Sequence, residues 1–126
     1  MSLNETPLLH RYWQMIGGTL VEEFVAVQRG RFHGERRIDG IIIKNEIHDI
    51  KNQDEVDIAG KDIIVIQVKA KRLSMTLMGQ AVFSHELMKK FNPRSIETVA
   101  LCKKDDSVLR PLLAKYPNIT VIIDDK

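Results

Sequence analysis

The sequence predicts an α/β domain with a mixed central sheet and the element order αβββαβαβ. Two observations carry this. The early β-rich segments are joined by stretches without helical character, so they should run antiparallel. The later ones are separated by helical stretches, which suits parallel crossovers. A third observation fixes the centre of the sheet. Ile63-Ile64-Val65-Ile66-Gln67-Val68 is almost continuously apolar and β-branched, the pattern of a strand buried on both faces.

Taken in order, Leu8, Leu9, Tyr12, Trp13 and Ile16 recur at helical spacing. Thr6 is a candidate N-cap, Pro7 suits the first helical position, and Gly17-Gly18 ends the helix. Residues 19–27 form the first strand, with Glu22-Glu23 in its middle, and residues 29–35 a basic, glycine-marked loop. Residues 36–44 are the second strand. The stretch 45–61 is polar, with a turn at Ala59-Gly60-Lys61 and a possible short strand at 56–58. After the central strand, Ser74 or Thr76 can cap a helix that Asn92-Pro93 stops. Its buried stripe should hold Leu77, Ala81, Ser84, Met88 and Phe91. Residues 96–102 are a further buried strand, Asp105-Asp106-Ser107 caps a short helix through Lys115, and residues 119–123 are the last strand.

Composition sets the outer limits. With 126 residues, 44% of them hydrophobic, the chain (1–126) is expected to be one domain with its own core. A net charge of +2 is too mild to imply nucleic acid by itself. The single Cys102 excludes an internal disulfide and reads as a small core hydrophobe. The four histidines are scattered rather than spaced as metal ligands. No signal peptide is expected, and no apolar run reaches membrane-spanning length. A soluble, cytoplasmic domain with no membrane association is the expectation.

The chemistry should lie where the central strand turns polar. Gln67 and Lys69 alternate onto one face, about 6.5–7 Å apart, and an amide and an ammonium there need a polar neighbour. Pairing residues 36–44 antiparallel with 62–69, with Ile43 opposite Ile63, brings Asp39 to about 5 Å from Gln67 on that face. An acid, an amide oxygen and a lysine at one rim suit metal-assisted phosphodiester hydrolysis. The plainer possibility is an Asp39–Lys69 surface ion pair worth about 0–1 kcal/mol. Asp57 is a competing acid, but a turn at 59–61 leaves it about 10 Å short of Gln67. Arg36, Arg37, Lys71 and Arg72 would gather at the same rim and could bind phosphates. No aromatic interleaving suggests base stacking.

Asp39 in Arg-Ile-Asp-Gly-Ile-Ile-Ile, followed by Ile-Gln-Val-Lys on the third strand, resembles the PD-(D/E)xK nuclease superfamily over roughly residues 5–102. The resemblance implies a restriction-endonuclease-like three-layer α-β-α core and an Mg²⁺- or Mn²⁺-dependent endonuclease acting on DNA rather than RNA. It assigns metal binding to Asp39, Gln67 and the Val68 carbonyl, and catalysis to Lys69 with Asp39 and Gln67. Gln67 stands where the motif has Glu or Asp, as in Mrr-type restriction endonucleases. A compensating carboxylate would come from Glu22 or Glu23, and alternation lets only one face the site. Analogy with relatives that carry an acid on this strand favours Glu23. Gly79-Gln80 resembles a glycine–glutamine pair of many members, and Gln80 would contact nucleic acid. Where many of those have a tyrosine four residues on, this chain has Ser84. A homodimer would suit cutting two strands. A nuclease-fold module that binds nucleic acid or a protein without cutting is the alternative.

Overall fold

The computed structural model describes residues 1–126. The chain runs α1 (Thr6–Ile16), β1 (Thr19–Val27), β2 (Arg36–Ile43), β3 (Asp62–Arg72), α2 (Met75–Met88), β4 (Ser95–Lys104) and β5 (Ile119–Ile123). The five strands form one mixed sheet in the order β1-β2-β3-β4-β5. β1, β2 and β3 pair antiparallel, while β3, β4 and β5 pair parallel. The expected α/β architecture with a mixed sheet is therefore present.

Helices cover both faces. On one, Leu8, Leu9, Tyr12 and Trp13 of α1 pack on Leu20, Ile42, Ile64, Ile66, Val68 and their neighbours in β4. On the other, Leu77, Ala81, Ser84 and Met88 form the buried stripe of α2. β3 is sealed from both sides, and every residue from Ile63 to Val68 is buried. α1 approaches β2 so closely that a Cβ on Gly40 would meet Leu9 at 2.9 Å. Ser74 caps α2 through its Oγ, which accepts from the Leu77 amide. No helix is long and apolar enough to cross a membrane.

Three details depart from expectation. Glu5, not Thr6, occupies the N-cap of α1, and the Thr6 hydroxyl donates to the Ser2 carbonyl instead. The stretch between β2 and β3 holds no strand at 56–58. It runs along the free edge of β1, where the Gln53 amide exchanges two hydrogen bonds with the Val25 backbone, at 2.8 and 3.0 Å. A side chain thus satisfies an edge that would otherwise be open to pairing. The third helix is a 3₁₀ segment, Arg110–Lys115. Pro111 brings no N–H to it, and Asp106 has already drawn the Val108 and Leu109 amides into a local turn.

Gly17 and Gly18 both have positive φ, +82° and +79°, and they differ in surroundings. A Cβ on Gly17 meets nothing within 4 Å, whereas one on Gly18 lies 2.5 Å from the Ile43 carbonyl oxygen. Gly17→Ala should cost about 1–3 kcal/mol, the strain of that backbone region alone. Gly18→Ala should cost about 1–3 kcal/mol more because backbone must also shift. Urea denaturation of the two variants gives the comparison, and equal losses would contradict it.

Candidate metal and phosphate site

The β2–β3 ladder runs from Ile43↔Ile63 to Gly40↔Ile66 and ends there. One step further, Asp39 and Gln67 lie where the two strands part. The Val68 N–H, left without a strand partner on this side, donates to Asp39 Oδ2 at 2.8 Å. A carboxylate side chain thus takes the position of a ladder carbonyl, as a buried amide requires. Burial pushes the Asp39 carboxyl above the usual range. The Val68 N–H and the Met1 amino group oppose this, and the charges of Glu23 and Glu5 add to it.

Gln67 is 5% exposed, and its Nε2 donates to Ser84 Oγ of α2 at 2.6 Å. With the NH₂ end held by the helix, the carbonyl oxygen is the end of the amide left for another partner. A hard cation takes such an oxygen. Lys69 makes no ion pair with Asp39 or any other carboxylate. The Asp39–Lys69 surface pair is therefore not formed, and Lys69 is half-buried with no carboxylate in contact with its ammonium.

β1 resolves the pair of glutamates by breaking its own alternation. Glu23 has φ +52°, so Val21 and Phe24 both join the core on the α2 side, where strict alternation would separate them. Glu22, paired with Gly40, turns towards α1 and bonds His10 Nε2 at 2.9 Å. Glu23 falls opposite Asp39, between the pairs Glu22↔Gly40 and Phe24↔Ile38. Its Oε1 is buried with no well-directed hydrogen bond. The Met1 ammonium lies 3.1 Å away, close enough for charge attraction.

A cleft of about 800 Å³ opens over Asp39 and Gln67, and neither Glu22 nor Glu23 is among the residues that line it. Asp39, Gln67 and Lys69 line it from the sheet, Arg36 and Arg37 from the start of β2, and Gln80 from α2. Arg37 is held by Glu35, Nε to Oε1 at 2.6 Å. Lys71 and Arg72 are not brought to this cleft. A register shift separates Lys69 from Arg72, and the Arg72 guanidinium bonds the Asp105 carbonyl at 2.7 Å. Both residues line a separate depression with Lys103 and Lys104. The sheet continues towards β4 after β2 has ended, which carries them away from Arg36 and Arg37. Asp57 is also elsewhere, exposed, with its Oδ1 accepting from the Ala59 amide.

Glu5, Met75 and Phe83 line the cleft without having been anticipated. Phe83 had a legible signal, since it lies off the stripe formed by Leu77, Ala81, Ser84 and Met88. The Glu5 position depends on how α1 crosses the sheet, which no local pattern records. Cys102 is buried, and burial pushes its thiol up, as for a core residue.

The donors fit a hard divalent cation better than a softer one. They are a buried carboxylate, an amide carbonyl, a second carboxylate lacking a well-directed partner, and no sulfur or imidazole. No three His, Cys, Asp or Glu side chains converge anywhere in the chain, so neutral oxygens and water would have to complete the coordination.

The raised pKa of Asp39 has a definite consequence. Stability from this group is complete at low pH and falls as pH rises through its folded value, because the folded state must then hold a desolvated carboxylate. Asp39→Asn keeps an oxygen for the Val68 N–H and removes that charge. Its melting temperature relative to wild type should therefore be higher near pH 7 than near pH 3. A gap independent of pH in metal-free thermal melts would show that the carboxylate is not strained by burial.

Compared with protein-family models, with curated proteins and with solved structures, the chain matches none.

Proposed function

We propose that the chain is an Mg²⁺- or Mn²⁺-dependent deoxyribonuclease with a restriction-endonuclease-like core of the PD-(D/E)xK kind. The observation that supports this most is the shared cleft of Asp39, Gln67 and Lys69, with Glu23 set against Asp39. Asp39 and the Gln67 carbonyl would hold the ion, with the Val68 carbonyl and Glu23 as further donors. Such an ion, when bound, polarises the phosphate and lowers the pKa of an attacking water.

The chain's own residues supply the rest. Lys69, free of any carboxylate, can orient the water and neutralise charge that builds on the phosphoryl oxygens. In the reaction the water oxygen bonds to phosphorus, the bond to the leaving sugar oxygen breaks, and that oxygen takes up a proton. Arg36 and Arg37 would bind the flanking phosphates, a role supported by their both lining the cleft. Gln80 offers an amide from the opposite wall. DNA is the proposed substrate, and a homodimer would let two such clefts act on two strands.

One observation favours a second reading, a nuclease-fold module that binds nucleic acid or a protein without cutting. Gln67 is neutral, and Glu23 is the one carboxylate at Asp39's side from β1. The ion would be held by less charge than in a site with an acid at position 67.

Cleavage of plasmid, linear and single-stranded DNA in Mg²⁺ or Mn²⁺ decides between the two. Under the leading reading, Asp39→Ala and Lys69→Ala each lower the rate about 100-fold or more, the scale for losing a positioned charge. Gln67→Glu keeps or raises metal affinity. Metal-independent binding with no cleavage in any of these conditions would leave the second reading. Cleavage unchanged by Lys69→Ala would exclude this cleft as its source.

A further inference from the structure

α2 presents a second face to the cleft. Met75, Gly79 and Phe83 follow one another at i, i+4 and i+8, and all three line the cleft beside Arg36, Arg37 and Lys69. Met75 is 77% exposed and Phe83 71%, so neither belongs to the core. A glycine inside a helix costs about 1 kcal/mol relative to alanine. In a tightly packed helix that loss is offset by a close approach, and Gly79 has none, since a Cβ there would meet no atom within 4 Å. The clearance it creates is not used by this chain.

Helix geometry turns that clearance into a slot. Met75 and Phe83 are eight residues apart, about 12 Å along the axis, with Gly79 midway. Side chains of a helix lean towards its N-terminus, so the Phe83 ring lies towards the Gly79 turn. A ring so directed leaves one face open over bare helix backbone, with Met75 one turn beyond Gly79 at the far end. A flat aromatic group fits such a gap. The guanidinium groups and ammonium across the cleft suit an anion attached to it. Glu5, Asp39 and Glu86 also line the cleft, which confines the anion to the Arg36, Arg37 and Lys69 side unless a cation intervenes.

We propose that the slot over Gly79, bounded by Phe83 and Met75, is a nucleobase subsite that takes one unpaired base beside the phosphate. The substrate class is therefore a strand with an unpaired base at the site, such as single-stranded DNA or the single-stranded arm of a branched structure. This rests on reading the cleft as a phosphodiester site. A base in a duplex is already stacked on both faces and offers none to the ring.

Fluorescence anisotropy with labelled oligo(dT), and with a blunt duplex of mixed sequence, tests this on the full chain in EDTA. Wild type should bind the single strand more tightly than the duplex. Phe83→Ala should weaken single-strand binding about 5- to 100-fold, the range of one base–aromatic stack, and leave duplex binding unchanged. Phe83→Trp should retain it. Gly79→Leu fills the slot while favouring the helix, so it should weaken single-strand binding with no loss of folding. Equal affinity for both DNAs, or single-strand binding indifferent to both Phe83→Ala and Gly79→Leu, would overturn the proposal. So would a dimer in analytical ultracentrifugation that Phe83→Ala converts to monomer, since the ring would then belong to a self-association surface. Cleavage in Mn²⁺ is read separately. Phe83-dependent single-strand binding without cleavage keeps the subsite and removes the hydrolysis. Duplex cleavage with Phe83-independent binding keeps the hydrolysis and removes the subsite.

Discussion

The structure turns on one hydrogen bond, from the Val68 N–H to the Asp39 carboxylate. β3 lies at the centre of the sheet and is paired with β4 from Asp62 to Lys69. β2 accompanies it only as far as Ile66. Where β2 leaves, β3 must still satisfy a backbone donor in a place that α1 and α2 have largely closed to water, and an unpaired buried donor costs about 1–3 kcal/mol. Asp39 meets that need with a side chain, and so a carboxylate is fixed at the mouth of the gap between the strands. Gln67, Lys69 and the cleft above them follow from the same parting of β2 and β3.

Holding these groups in place costs stability. The Asp39 carboxyl is driven up by burial, and Glu23 adopts a left-handed backbone and keeps an oxygen without a well-directed partner. Sites that bind and transform ligands commonly store strain of this kind. The remainder of the sheet compensates through Ile63 to Ile66, sealed by helices on both faces. Gln67 is the exception that both halves share. It is packed like a core residue, yet its Nε2 is spent on Ser84 and its carbonyl end stays free of α2.

Much of this frame was legible in the sequence because it depends on pattern. Connections without helical character specified the antiparallel half, and the match of two apolar runs placed Ile43 opposite Ile63, which is the observed pairing. The stripe of α2 followed from helical periodicity as far as Met88, where the helix ends and Phe91 passes into a 3₁₀ turn, half-buried. The rest depends on departures from pattern. A strict alternation of two allows one of Glu22 and Glu23 to face Asp39, but the left-handed residue that reverses the strand has no local marker. The basic residues illustrate the same limit. Arg36, Arg37, Lys71 and Arg72 are close in any flat drawing of the sheet. The end of β2 and the register shift beyond Lys69 send them to two different depressions. Phe83 is the reverse case, a signal present in the sequence as an aromatic on the wrong face of its helix.

The proposed divalent-cation site rests on the parting of β2 and β3. Anomalous diffraction from crystals of the full chain soaked in Mn²⁺ tests it most directly. The ion should appear about 2.1–2.2 Å from an Asp39 carboxylate oxygen and within coordination distance of the Gln67 carbonyl, as expected for a hard cation on oxygen ligands. Crystals that take up Mn²⁺ only at surface carboxylates, with Asp39 still bonded to Val68 alone, would contradict it.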